Sequence, residues 1–144
     1  MLNKILRRRP LFAVAAALLA TMTLAAPASA SAQGEAEGWS CRVPAGWTWA
    51  TARPMPPPVC EPLYYVVAPA DGKRTCSVPP GWTYTLVRES SDCRFGGTGV
   101  AYTLKTPTAG LWACSVPSGF TYSSTRSTTN CDRVGGASTE YLLA

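Results

Sequence analysis

The chain has 144 residues, a formal net charge of +5 and no histidine. Without histidine, Ser-His-Asp and Cys-His catalytic arrangements are excluded, and so are zinc patterns that combine Cys with His. Four of the 13 basic residues and none of the 8 acidic ones precede Ala30, so the remainder carries a net of only +1. Nucleic-acid binding calls for a basic face on the folded part, which that balance does not supply.

Residues 1–30 read as a signal peptide. Lys4, Arg7, Arg8 and Arg9 form a basic start, Leu11 to Leu24 is an uncharged Ala/Leu-rich run, and Ala28-Ser29-Ala30 is a small-x-small cleavage site. A spanning helix needs about 20 apolar residues, so a transmembrane anchor is disfavoured and no stable membrane anchor is expected after cleavage. Arg8-Arg9-Pro10-Leu11-Phe12 also has the form of a twin-arginine signal, although a general-secretion signal fits as well. Residues 31–38 form a short N-terminal segment.

The rest of the chain repeats itself three times, over 39–70, 71–107 and 108–144. The pattern Cys-x-Val-Pro-x-Gly-aromatic-Thr-aromatic opens each unit, at Cys41 to Trp49, Cys76 to Tyr84 and Cys114 to Tyr122. A fixed pattern recurring every 35 to 38 residues marks one supersecondary unit used three times. Pro at the second position of a type I turn, with Gly two residues later in the left-handed region at a G1 bulge, predicts a tight three-residue hairpin. Alternation predicts that Cys, Val and the two aromatics share an inner face. It leaves Arg42, Ser77, Ser115 and Thr48, Thr83, Thr121 on a polar outer one. A second cysteine follows in each unit, Cys60, Cys93 or Cys131, and then an apolar stretch that reads as a third strand. That strand is expected to pair Tyr65 with Val67, Tyr102 with Leu104 and Tyr141 with Leu143 on one side. The segments between, Leu86 to Asp92 and Ser123 to Asn130, read as polar loops. In the first unit Arg53-Pro54-Met55-Pro56-Pro57-Pro58 is a stiff Pro run instead.

Six cysteines allow 15 pairings, and export of a small domain favours disulfides. Identical units close most simply on themselves, giving Cys41–Cys60, Cys76–Cys93 and Cys114–Cys131, with a pattern swapped between units as the alternative. Each such loop contributes about 3 kcal/mol in the chain-entropy model. The fold class expected is therefore all-β: three tandem, antiparallel, three-stranded, disulfide-stapled repeats. The alternative is a closed pseudo-threefold fold such as a trefoil or prism.

The acidic residues offer no facing carboxylate pair, and Gly96-Gly97-Thr98-Gly99 lacks the Lys-Ser/Thr of a phosphate loop. No enzyme and no cofactor is expected. The aromatics remain, and repetition turns weak contacts into useful binding. The expected function is an extracytoplasmic binding module, secreted or periplasmic, with cell-wall polymer or other glycan as ligand. Trp39 and Trp112 are ligand candidates because they precede the first cysteine where the second repeat has Arg74. A protein-binding effector such as a protease inhibitor, using Arg53 beside the Pro run, is the alternative, and a structural surface protein a third.

Overall fold

The computed structural model describes residues 37–56, 58 and 60–144. Residues 1–30, where a signal peptide is expected, most of the segment 31–38, Pro57 and Val59 lie outside the described residues. Nine strands form three separate sheets of three. The first repeat contains β1 (Gly38–Ser40), β2 (Thr48–Arg53) and β3 (Leu63–Val67); the second contains β4 (Arg74–Thr75), β5 (Thr83–Ser90) and β6 (Gly99–Lys105). The third contains β7 (Trp112–Ala113), β8 (Tyr122–Thr128) and β9 (Ser138–Leu143). This is the all-β array of three stapled, antiparallel repeats, laid in a row.

A turn forms at each Pro-x-Gly step, but not as a hairpin and not as a type I turn with proline in second place. Trp47, Trp82 and Phe120 donate their backbone N–H to the carbonyls of Pro44, Pro79 and Pro117 at 3.1 to 3.2 Å. Proline is thus the first residue of the turn, and the glycine in third place has φ of +80° to +89°. That glycine placement belongs to a type II turn. The strands on either side of the turn do not pair with each other. In every sheet the third strand lies in the middle, in the order β1-β3-β2, β4-β6-β5 and β7-β9-β8. Proline at the turn lacks an N–H and stops the first strand early. The chain then crosses to the far side of the third strand.

The segments expected as polar loops are strand in the second and third repeats, because β5 and β8 run to Ser90 and Thr128. An edge strand needs apolar alternation only where something covers it, which is why a Ser/Thr-rich stretch can be β8. Each second strand also carries a bulge, between Trp49 and Thr51, Tyr84 and Leu86, and Tyr122 and Ser124. One extra residue reverses the facing of everything beyond it. Pairing of Trp49 with Val66, Tyr84 with Leu104 and Tyr122 with Leu143 places Tyr64, not Tyr65, where Tyr102 and Tyr141 stand, and Val66 where Leu104 and Leu143 stand. Val66, Leu104 and Leu143 are buried.

The expected polar face is overturned by Thr48 and Thr83, which are fully buried. The neighbouring repeat covers them. The Thr48 hydroxyl donates to the Ser77 carbonyl at 2.7 Å and meets the Ser77 hydroxyl at 2.9 Å. Thr83 does the same with Ser115, at 2.9 and 3.0 Å. Beside each pair, a cysteine N–H donates to an aromatic residue's carbonyl: Cys76 to Trp49 at 2.7 Å and Cys114 to Tyr84 at 2.8 Å. At the second joint, Val87 and Glu89 of β5 add N–H bonds to the carbonyls of Asn130 and Arg133. The Arg88 guanidinium donates to the carbonyls of Thr129, Asn130 and Asp132. The edge of one sheet is therefore closed by the stapled end of the next, which satisfies backbone groups that an exposed edge would leave open.

The disulfides join Cys41 to Cys60, Cys76 to Cys93 and Cys114 to Cys131, each within its own repeat. A unit of this size buries too few side chains to be secure without such a link. The second staple sits hard against β6: a Cβ on Gly99 would lie 2.6 Å from the Cys93 carbonyl oxygen, so only glycine fits. Three disulfides among six cysteines match an oxidising, extracellular type of compartment. Among the described residues no helix is long and apolar enough to cross a membrane.

Candidate binding groove

Where the first and second repeats meet, the surface opens into a groove of about 380 Å³. β2 supplies Trp49 and Ala52, β3 supplies Tyr64, and the segment after Cys60 supplies Glu61 and Pro62. The second repeat adds Arg94 and Phe95, from the loop that follows its staple. Trp49 and Tyr64 meet edge to face, with centroids 5.1 Å apart and planes at 61°. Their meeting follows from the register: Trp49 pairs with Val66, and Tyr64 is the diagonal neighbour on the same face. Phe95 is 57% exposed, a large apolar side chain held in water at the tip of Arg94-Phe95-Gly96-Gly97. Gly96 at φ +67° makes the turn that puts it there. Glu61 and Arg94, both exposed, set opposite charges on the rim.

The arrangement recurs along the array. Tyr84 and Tyr102 repeat the edge-to-face pair at 4.9 Å, and Tyr122 and Tyr141 repeat it at 5.2 Å. Val134, 71% exposed, stands in the Gly-Gly loop of the third repeat as Phe95 does in the second. Burial at the second joint pushes the Tyr84 phenol above its ordinary pKa, with nearby Tyr102 adding to the effect and a hydrogen bond to Ser115 opposing it. A row of aromatic pairs, with the exposed Phe95 beside the first, suits a ligand with apolar C–H faces and polar edges.

Of the residues singled out from the sequence, Trp39 and Arg53 come together. The Arg53 guanidinium lies 4.0 Å over the Trp39 ring, and Trp39 meets Tyr65 edge to face at 5.3 Å. Arg53 is the last residue of β2 rather than part of a free loop. Trp112 stands in the matching place of the third repeat, with Arg126 4.3 Å over its ring. An arginine thus occupies one face of each tryptophan, and neither ring lines the groove. Trp49, Tyr64 and Phe95 were missed as a site. Trp49 reads as core by alternation, and Glu61 and Arg94 read as solvated loop charges. The signal available was Phe95, an aromatic flanked by Arg and Gly-Gly in a turn that has no core to fill.

One cluster has the look of a metal site: Cys114, Cys131 and Glu140 converge. Its sulfurs are spent in a disulfide and present no thiolate. The buried Glu140 carboxylate accepts from Arg126 Nε at 2.6 Å, so its charge is already answered. Comparison with known protein families, curated proteins and solved structures finds no match for this chain.

Proposed function

We propose that the protein is an exported, non-catalytic binding module that grips a glycan, such as a cell-wall polymer, at the joint between its repeats. The observation that carries this is the Trp49–Tyr64 pair with Phe95 hanging exposed over it, an aromatic cleft with a charged rim. Sugar rings present C–H faces that pack on aromatic side chains, and their hydroxyls find partners in rim groups such as Glu61 and Arg94. Repetition of the aromatic pair favours an extended, repeating ligand over a compact one. The non-catalytic reading rests on the groove's own residues. Glu61 is its single carboxylate, and it holds no nucleophile beside a base. The basic, apolar start of the chain supports export through a signal peptide, in keeping with the disulfides.

The test is retention of the purified, oxidised protein on insoluble glycans: peptidoglycan, chitin and cellulose. Phe95→Ala changes an exposed side chain, so the fold is spared. It is expected to weaken retention about tenfold, roughly 1.4 kcal/mol. Trp112→Ala is expected to leave retention at this groove unchanged. Failure of the parent protein to bind any of the polymers defeats the proposal.

A further inference from the structure

The two joints inside the chain use one set of parts, and both halves of that set recur exposed at opposite ends of the array. The giving half is a Thr-aromatic pair at the start of the second strand: Thr48 and Trp49, then Thr83 and Tyr84. The receiving half is the Cys-Ser step after the first strand: Cys76 and Ser77, then Cys114 and Ser115. Thr48 and Thr83 are fully buried, and Cys76 and Cys114 nearly so. In the third repeat the giving half is Thr121 and Tyr122, both exposed, and β8 is exposed along nearly its whole length. In the first repeat the place of Ser77 and Ser115 is held by Arg42, which is exposed.

β8 is a usable edge. In β5, residues Val87 and Glu89 point their N–H groups away from β6 and into the next repeat. Thr125 and Ser127 hold the same register against β9 as Val87 and Glu89 hold against β6. Their N–H groups therefore point outward from the edge. Natural edges are commonly blunted by Lys, Pro or an inward charge. β8 contains no Lys or Pro, and its one charge, Arg126, is engaged by Glu140 and Trp112.

We propose that copies of this chain associate head to tail, β8 of one copy seating the first repeat of the next at its Arg42–Pro44 step and at Pro62, which follows Cys60 as Arg133, the acceptor of the Glu89 N–H, follows Cys131. The Arg42 carbonyl takes the place that the Ser77 and Ser115 carbonyls take at the internal joints, and the Thr121 hydroxyl donates to it, giving up its long bond to the Ala144 carbonyl. Such a contact joins two different patches, so it does not close on itself and builds an open chain. Arg42 has no hydroxyl to meet Thr121, so the joint between copies lacks one bond of the internal ones and is the weaker of the two. The inference stands apart from glycan binding, since neither patch includes Trp49, Tyr64 or Phe95.

Sedimentation velocity of the oxidised protein over a wide concentration range tests it. The average mass is expected to rise steadily with concentration, without a plateau at the dimer. Arg42→Ser restores the hydroxyl and is expected to shift the rise to roughly tenfold lower concentration, the effect of one such bond. Thr121→Lys, and independently Ser127→Pro, which removes an outward N–H without touching the β8–β9 ladder, are each expected to hold the protein monomeric. A parent protein and an Arg42→Ser variant that both stay monomeric overturn the proposal. So does a species that stops at two copies, or association that survives both edge variants.

Discussion

Thr83→Val isolates the chemistry of a joint. Valine keeps the shape of threonine and removes only the hydroxyl, which is fully buried and bonded to both oxygens of Ser115. A hydrogen bond nets about 0.5–1.5 kcal/mol, and a buried partner left without one costs about 1–3 kcal/mol. The added methyl returns about 0.8 kcal/mol. Ser115 is only half-buried, so water relieves part of its loss, and the balance is about 2 kcal/mol of destabilisation. Urea unfolding with the disulfides intact, followed by tryptophan fluorescence, reads this as a lowered midpoint. Thr48→Val should match it, because its geometry is the same. Thr121→Val is the internal control: same residue, same place in the repeat, exposed, its hydroxyl bonded to the Ala144 carbonyl at 3.3 Å. Its cost should stay within about 0.5 kcal/mol. The joint chemistry is refuted if Thr121→Val costs as much as Thr83→Val, or if a double-mutant cycle of Thr83→Val with Ser115→Ala shows no coupling.

Three further outcomes follow from individual contacts. Arg126→Ala strands the buried Glu140 carboxylate and should cost about 3 kcal/mol in the same unfolding assay. Adding Glu140→Leu should recover much of that, since Leu63 fills the corresponding place in the first repeat. Asp71 is held at a pKa of about 2 by bonds from Lys105 and from the N–H and hydroxyl of Thr106. Its folded pKa lies below the ordinary 3.8, so its contribution is complete above that value and fades as pH falls toward 2. The melting-temperature gap between the parent and Asp71→Ala should therefore be constant near neutrality and vanish below about pH 2. Non-reducing peptide mapping should return the three links within repeats, and removing the Cys114–Cys131 pair should cost about 3 kcal/mol.

The staples and the left-handed turn glycines were legible because they depend on residues close in sequence. Cys41 and Cys60 belong to one repeat by spacing alone, and Gly46, Gly81 and Gly119 each sit where a left-handed residue is needed. Strand order was not legible. Nothing in Val43-Pro44-Ala45-Gly46 states whether the chain returns beside β1 or crosses to the other flank of β3; the middle strand's capacity to pair on both sides decides it. The bulges were equally hidden, since one inserted residue leaves composition unchanged while it shifts Thr51 and Ala52 by one place against Tyr65 and Tyr64. Thr48 and Thr83 look like surface residues in any single repeat, because the group that covers them lies about 30 residues onward. The groove was concealed for the same reason, its walls coming from two repeats.

That shared origin links stability to recognition at a specific place. Trp49 carries two duties: its carbonyl accepts the Cys76 N–H that fastens the first joint, and its ring forms one wall of the groove. Phe95 reaches the groove only because the second repeat is docked on the first. Loosening this joint should therefore weaken binding even when no groove residue is changed. Thr48→Val at the first joint is expected to lower glycan retention measurably, about two- to fivefold if a third of its roughly 2 kcal/mol is lost from the docked state. Thr83→Val carries the same stability cost at the second joint and leaves the Trp49–Tyr64–Phe95 groove as it was. Equal losses of retention in the two variants would mean that the groove senses global stability. A loss confined to Thr48→Val would show that the ligand reads the junction of the first two repeats.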